Sequence, residues 1–265
     1  MGNCPQKLKY RNGDRYYGQT SNFKRHGYGV MIYKVRGERY EGEFLKDKMN
    51  GIGKYYFRDG IIYEGTFKND KISGQGVIKY VNGDIYEGDV IEHNHMFKMA
   101  VIKHGSGVYL FKNGERYEGD FDFDIMHGDG SIQYVNGDKY IGKFSCGLRS
   151  GYGILYYKDG NKYDGSFCNN LPNGEGRFYF KDGSYYSGNV LNSYMSGYGV
   201  LTEANGNVYK GSFLNGTKSG LGTSYYKNGE VETGEWIYDQ MIRLIRKKSN
   251  SSKNELLKLG EIVHI

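Results

Sequence analysis

Glycine and aromatic residues alternate along this chain in a fixed phase. In "YEGEF" (Tyr40 to Phe44) the tyrosine, glycine and phenylalanine stand at i, i+2 and i+4, with acidic residues between them. On a β-strand those three share one face, because successive side chains point to opposite sides. In "GQGVIKY" (Gly74 to Tyr80) the two glycines, Ile78 and Tyr80 share a face in the same way. Both stretches have period two, which predicts strands. An Asn-Gly or Asp-Gly dipeptide, such as Asn82-Gly83, follows most such stretches. These dipeptides are strong hairpin signals, because both residues tolerate positive φ.

The pattern recurs. Tyrosine two residues before glycine occurs at Tyr16, Tyr40, Tyr63, Tyr86, Tyr117, Tyr140, Tyr163, Tyr186 and Tyr209, and Glu232 takes the tenth start. The spacing is 23 residues, except for 24 after Tyr16 and 31 after Tyr86. A Gly-x-Gly pair lies between successive starts, from Gly27/Gly29 to Gly220/Gly222, and a turn dipeptide follows each pair, from Arg36-Gly37 to Asn228-Gly229. A fixed period of this length predicts a stacked array. Glycine weakens an isolated strand, so its regular use predicts close approach by a neighbouring aromatic ring. The two kinds of strand are expected to turn their glycines to one common face. That requires a hairpin loop of odd length with Gly83 left-handed, and it places Ile78 opposite Tyr86. A two-residue turn would place Lys79 there instead.

Tyr-x-Gly-x-aromatic, a polar linker, Gly-x-Gly, then Tyr or Phe before Asn/Asp-Gly resembles the MORN (membrane occupation and recognition nexus) repeat. The resemblance covers Tyr16 to Val231, with half repeats in "YRNGDR" and "ETGEW". It implies an all-β fold: an elongated, single-layer antiparallel sheet of β-hairpins with a shallow groove. It also implies that a protein partner lies along groove aromatics, taken as Tyr117, Phe121, Tyr140, Phe144, Tyr163 and Phe167. The domain reading is a basic segment with a half repeat over 1–15, the repeats over 16–236, and a basic cap or tail over 237–265.

Composition narrows the functional classes. The chain has 265 residues, with 42 glycines, 28 tyrosines and 16% aromatic residues. That is too aromatic for a disordered chain and too poor in aliphatics for a thick core. There is no run of 18 apolar residues and no signal-peptide core, so an intracellular protein is expected. Cys4, Cys146 and Cys168 make no disulfide framework. The eight extra residues of the fourth repeat fall in "IEHNHMFKMAVIKH" (Ile91 to His104). They are expected to form a long hairpin loop, with Met96, Phe97 and Met99 packing on the sheet or docking a partner. His93, His95 and His104 offer zinc-like spacing, but no cysteine or aspartate joins them, so no metal is assigned. No catalytic constellation, phosphate loop or cofactor motif is present, and a non-enzymatic protein is expected.

Net charge is +6. Lys7, Lys9, Arg11 and Arg15 against Asp14 put half of it before the repeats. Arg243, Arg246, Lys247, Lys248, Lys253 and Lys258 against Asp239, Glu255 and Glu261 put the other half after them. The repeats sum to zero, so a nucleic-acid-binding groove is not expected. In "MGNCPQK", Gly2 has the place of an N-myristoylation acceptor and Cys4 that of a palmitoylation site, although Gln6 stands where Ser or Thr is usual. Lys7, Lys9, Arg243, Arg246, Lys247 and Lys248 are the expected membrane-contact residues beside them. Ser252 with Glu255 fits a capping box and Gly260 a helix stop, so a short C-terminal helix is expected. The function expected is a scaffold or adaptor on the cytoplasmic face of a membrane. The alternative is a structural component of cytoskeleton or cilium. Homo-oligomerisation stays open.

Overall fold

The computed structural model describes residues 5–95 and 98–249. They form twenty-one strands, from β1 (Gln6–Lys9) to β21 (Gln240–Lys248), with no helix among the described residues. The chain divides into two compact units, Met1–Val135 with Phe144–Gly147, and Asn136–Lys143 with Leu148–Ile265. In the first, β1 to β11 (Ile125–Gln133) pair in chain order, all antiparallel. In the second, β13 (Leu148–Tyr156) to β21 do the same. The helix expected from Ser252 lies outside the described residues. The basic segment before it, Met241 to Lys248, is strand.

The register is the one the pattern requires. Between β7 (Lys71–Lys79) and β8 (Ile85–His95), Ile78 faces Tyr86 and Gly76 faces Gly88. The loop is odd in length. Tyr80 N–H donates to Asp84 C=O and Gly83 N–H to Tyr80 C=O, both at 3.0 Å. Gly83 has φ +96°. The 24-residue spacing after Tyr16 is one extra residue in the Tyr33–Glu38 loop, where Gly37 N–H reaches back to Tyr33 C=O.

Each glycine in the repeat has its own physical reason. Between β6 (Ile62–Lys68) and β7, Gly65 faces Gly76 and the Tyr63 ring covers the pair. A Cβ on Gly76 would stand 2.3 Å from Tyr63 Cε2, and one on Gly65 2.3 Å from the Tyr63 hydroxyl. Gly74 has open space around it but φ +77°. It belongs to a bulge, for the register passes from Gly65–Gly76 to Phe67–Ile72. The tyrosine hydroxyl then donates to the carbonyl three residues on, as Tyr163 does to Ser166 at 2.9 Å. At the tenth start Glu232 replaces tyrosine, and Met241 lies against Gly234 instead.

The rings form a ladder. In the first unit Tyr16 meets Phe44, Tyr40 meets Phe67, Tyr86 meets Phe121 and Tyr117 meets Phe144, all edge to face at 4.9–5.2 Å. In the second unit Tyr140 meets Phe167, Tyr186 meets Phe213 and Tyr209 meets Trp236 at 4.9–5.2 Å. Val90 and Val190 take the aromatic's position in the remaining repeats and are buried. Each such ring pair adds about 0.5–1.5 kcal/mol beyond the area it buries. One face of a single-layer sheet is thereby filled by its own side chains.

The opposite ends of the hairpins close with a second kind of turn. Asn69-Asp70 has φ of +53° and +70°, between the paired Lys68 and Lys71. Two positive φ values in a two-residue loop define the I′ geometry that suits strand twist. Asp70 N–H donates to Met49 C=O at 2.9 Å, and Asp70 Oδ1 accepts from Met49 N–H at 2.8 Å. Successive hairpins are therefore tied at this edge, and Asp84 Oδ1 ties the other by accepting from Lys112 N–H at 2.8 Å. The insertion is paired structure rather than a loop. Val90 faces Lys103, and pairing continues to His95 opposite Lys98. Met99 faces Asn94 and is half-buried, while Met96 and Phe97 lie outside the described residues.

The two glycine types should respond differently to substitution. Gly76→Ala is expected to cost about 3 kcal/mol or more, since overpacking alone costs about 1–3 kcal/mol and a ring must leave its slot. Gly74→Asn should cost well under about 1 kcal/mol, because asparagine tolerates the left-handed region. Urea unfolding of both variants checks the order.

Candidate protein-interaction surface

The face opposite the ladder carries the variable residues. The residue between the two glycines of Gly-x-Gly points there. In the second unit this row holds Tyr152, Tyr198 and Leu221, which are 61%, 64% and 59% exposed. A groove of about 620 Å³ runs beside it, lined by Tyr152, Asp164, Glu175, Arg177, Asn189 and Tyr198. Its floor is bare backbone at Gly165, Gly176, Gly188 and Gly199, because those glycines turn their open side to the ladder. A parallel row is built by cross-strand pairs: Tyr156 faces Lys162, Lys162 faces Tyr179 and Tyr179 faces Tyr185. Lys162 Nζ sits 4.0 Å from the Tyr179 ring centre, and the Tyr179 and Tyr185 rings stack at 6.5 Å. Tyr152 donates to Asp164, and that hydrogen bond raises the phenol's pKa.

The same face of the first unit is acidic. Four successive starts read Tyr-Glu-Gly and place Glu41, Glu64, Glu87 and Glu118 in one row. A groove of about 650 Å³ there is lined by Gln75, Val77, Glu87, Ser106, Val108 and Glu118. Hydrogen bonds from Lys54 and then Lys79 hold the Glu64 carboxyl below its usual range, and Glu118 pairs with Arg116 at 2.7 Å. On the ladder face, a smaller pocket of about 330 Å³ surrounds Lys103. The Lys103 ammonium is fully engaged, donating to Tyr80 at 3.1 Å and pairing with Asp124 at 3.0 Å.

The expected groove aromatics are core residues. Tyr117, Phe121, Tyr140, Phe144, Tyr163 and Phe167 are 0–4% exposed. Periodicity correctly gave them one face, but that face is filled by the ladder, so a partner does not meet them. The residues on the open face are the ones between them. Gly2 and Cys4 lie outside the described residues. Lys7 and Lys9 are exposed on β1. All four cations of β21 are exposed; Arg243 pairs with Glu235 and Lys247 with Glu232 at 2.8 Å, and among the described residues Arg246 and Lys248 have no ion-pair partner. His104 Nδ1 stands 3.4 Å from Asp122, and the side chains of His93 and His95 are not described. Among the described residues no group of three His, Cys, Asp or Glu could hold a metal ion.

The family model described as the MORN repeat matches residues 22–35, 40–62, 63–85, 102–116, 117–139, 140–162, 163–185, 186–208 and 209–231. No curated protein matches the chain by sequence. Among solved structures, the TCP10 domain of Danio rerio CPAP with a peptide of Danio rerio STIL is similar. It has 12% identity over 93% of this chain and 99% of that one, with a TM-score of 0.49. The TCP domain of Drosophila melanogaster SAS-4 with a proline-rich motif of Ana2 matches at 13% identity over 70% and 84%, with a TM-score of 0.29. A streptogramin B lyase matches at 12% identity over 92% and 82%, with a TM-score of 0.15.

Burial distinguishes the ladder phenols from the open face. It raises Tyr16, Tyr63, Tyr186 and Tyr209 from 10.0 to about 12. The unfolded chain ionises near 10.0, so the folded state holds more protons above that pH. The resulting stability is complete below about pH 10 and is lost as pH rises through the folded values. Alkaline titration followed by circular dichroism and phenolate absorbance should show the ladder ionising only as the fold is lost. Ladder phenolate forming below pH 10 in the folded protein would contradict this.

Proposed function

The chain belongs to the MORN-repeat family, and on that premise we propose that it is a non-enzymatic scaffold that holds a protein segment on its open sheet face beside a membrane. One observation carries the reading. Tyr152, Tyr198 and Leu221 stand exposed in a row across the second unit, on the face that the fold does not need for its own packing. Tyrosine supplies large, rigid, amphipathic contact area at low entropic cost, which is why it is enriched at protein interfaces. Between the tyrosines, Asp164, Glu175, Arg177 and Asn189 supply polar contacts along bare glycine backbone. A segment lying there crosses the strands and meets several repeats at once. The non-enzymatic part of the proposal is supported by Tyr152, whose hydroxyl is taken up by Asp164.

The membrane side of the proposal rests on the amino terminus. Gly2 as myristoyl acceptor and Cys4 as palmitoyl acceptor together give the two signals that stable anchoring needs. Lys7, Lys9, Arg246 and Lys248 add exposed positive charge at the two ends. The proposed location is accordingly the cytoplasmic face of a membrane.

The test uses full-length protein in cells. The triple variant Tyr152→Ser, Tyr198→Ser, Leu221→Ser should lose its cross-linked partner, with about a 30-fold loss per central anchor residue. Its melting temperature should stay unchanged, because the three side chains are exposed. Gly2→Ala should shift the protein to the soluble fraction. Partner capture that survives the triple variant would refute the binding face. Unacylated native protein pelleting with microtubules or axonemes would favour a structural role.

A further inference from the structure

The open face of the second unit has a period of its own. Along the row between the paired glycines, a large side chain alternates with a smaller or polar one, strand by strand. Tyr152 faces Ser166, Glu175 faces Asn189, Tyr198 faces Ser212 and Leu221 faces Glu235. The large groups therefore recur on every second strand, about 9.6 Å apart. From Tyr152 to Leu221 the row covers three such steps, about 29 Å. A second aromatic bank runs parallel to it. Tyr156 lies four residues beyond Tyr152 on the same strand, about 13 Å away, and Tyr179 and Tyr185 continue its row. Between the banks lie the shorter side chains of Ser187 and Val200 and the bare glycine backbone.

That spacing discriminates between the backbones a bound segment can adopt. A polyproline II helix repeats every three residues and rises about 9.3 Å in doing so, so it slips by only about 1 Å over the three steps. A β-strand advances about 10 Å in three residues, but its third side chain points to the opposite side. An α-helix returns to the same face after seven residues, about 10.5 Å, and slips by about 3 Å over the same length. The hydrogen-bonding groups agree with the first. Among the described residues, the Tyr198 hydroxyl, the Arg177 guanidinium and the Asn189 amide have no hydrogen-bond or ion-pair partner. All three can donate. Proline has no N–H, so a proline-rich segment brings carbonyl acceptors that need donors.

We propose that the second unit's open face holds a proline-rich segment in the polyproline II conformation, one turn per repeat, with its rings against Tyr152, Tyr198 and Leu221. The proposal rests on the binding-face reading above and names the class of segment bound there; it does not depend on the membrane. Aromatic-lined grooves suit such segments, because the helix is already extended and little entropy is lost on docking. Charge fixes the register. Glu175 stands exposed in the row between Tyr152 and Tyr198 and has no ion-pair partner among the described residues. The segment accordingly carries a lysine or arginine one turn from the proline that meets Tyr152.

The experiment measures fluorescence anisotropy of labelled synthetic peptides with the full-length protein. The probes are polyproline peptides with one central arginine, and peptides of equal length and charge built on alanine, which favours helix, or on valine and threonine, which favour strand. The proline peptide should bind with a Kd below about 1 mM, and the other two at least about tenfold more weakly. Affinity should rise at least about tenfold from six residues to twelve and change less than about threefold from twelve to eighteen, because twelve residues already cover the row at about 3.1 Å each. Tyr198→Ser should weaken binding about 30-fold with no change in melting temperature, since the side chain is exposed. Glu175→Gln should weaken the arginine-bearing peptide several-fold and leave an all-proline peptide unaffected. The proposal is overturned if the proline peptide does not bind, if the alanine or valine–threonine peptide binds as tightly, or if Tyr198→Ser binds it like the parent. If the proline peptide fails while the triple variant still loses its cross-linked partner, the binding face stands and the proline class falls. If the triple variant keeps that partner, both readings fall.

Discussion

A tyrosine ring laid across two facing glycines is the contact on which the rest of this structure depends. Nothing larger than hydrogen fits beneath the Tyr63 ring at Gly65 or Gly76. Two strands must therefore bring glycines opposite each other, which fixes their register and requires the odd loop at Gly83 on the next side. The ring's hydroxyl reaches the carbonyl three residues on, at the point where the bulge opens. The bulge in turn requires positive φ at the first glycine of each Gly-x-Gly, and the neighbouring phenylalanine closes the ring's free edge. Glycine's usual cost in a strand is offset by burial of the largest side chains available.

The same contact decides where function can reside. Because the ladder fills one face, the other face is free of packing duties and can differ from repeat to repeat. It is acidic along Glu41, Glu64, Glu87 and Glu118 and tyrosine-rich around Tyr152 and Tyr198, on identical backbones. The turns vary with equal freedom, because a backbone N–H bonded to the preceding hairpin secures them, from Asp70 to Met49 and equally from Gly147 to Met126. A scaffold of this type carries its specificity in the residues between the invariant ones.

Much of this was legible in the sequence, and what was missed has physical reasons. The period, the common face of the glycines, the pairing of Ile78 with Tyr86 and the left-handed Gly83 all follow from period-two geometry and turn chemistry. Periodicity says which side chains share a face, but not which face is already full. Tyr117 and its fellows therefore fit a groove by period alone, whereas in the structure they fill that face themselves. The second set of turns has no fixed dipeptide, as Phe23, Cys146-Gly147 and Asn69-Asp70 show, so it was read as polar linker. The insertion continued the β8–β9 ladder, because Ile91, Ile102 and Val101 are β-formers that a loop reading overlooked.

Amide hydrogen exchange in the Tyr163→Leu variant tests the central claim most directly. Leucine keeps the apolar volume roughly but cannot lie flat over Gly165 and Gly176 or donate to Ser166. If the ring-on-glycine contact sets register, protection should fall sharply in the two strands that carry those glycines and in the hairpins on either side of them. It should stay at its original level around Tyr16 and Tyr40. Protection that is unchanged near Gly165 and Gly176, or that falls evenly along the whole chain, would contradict the account.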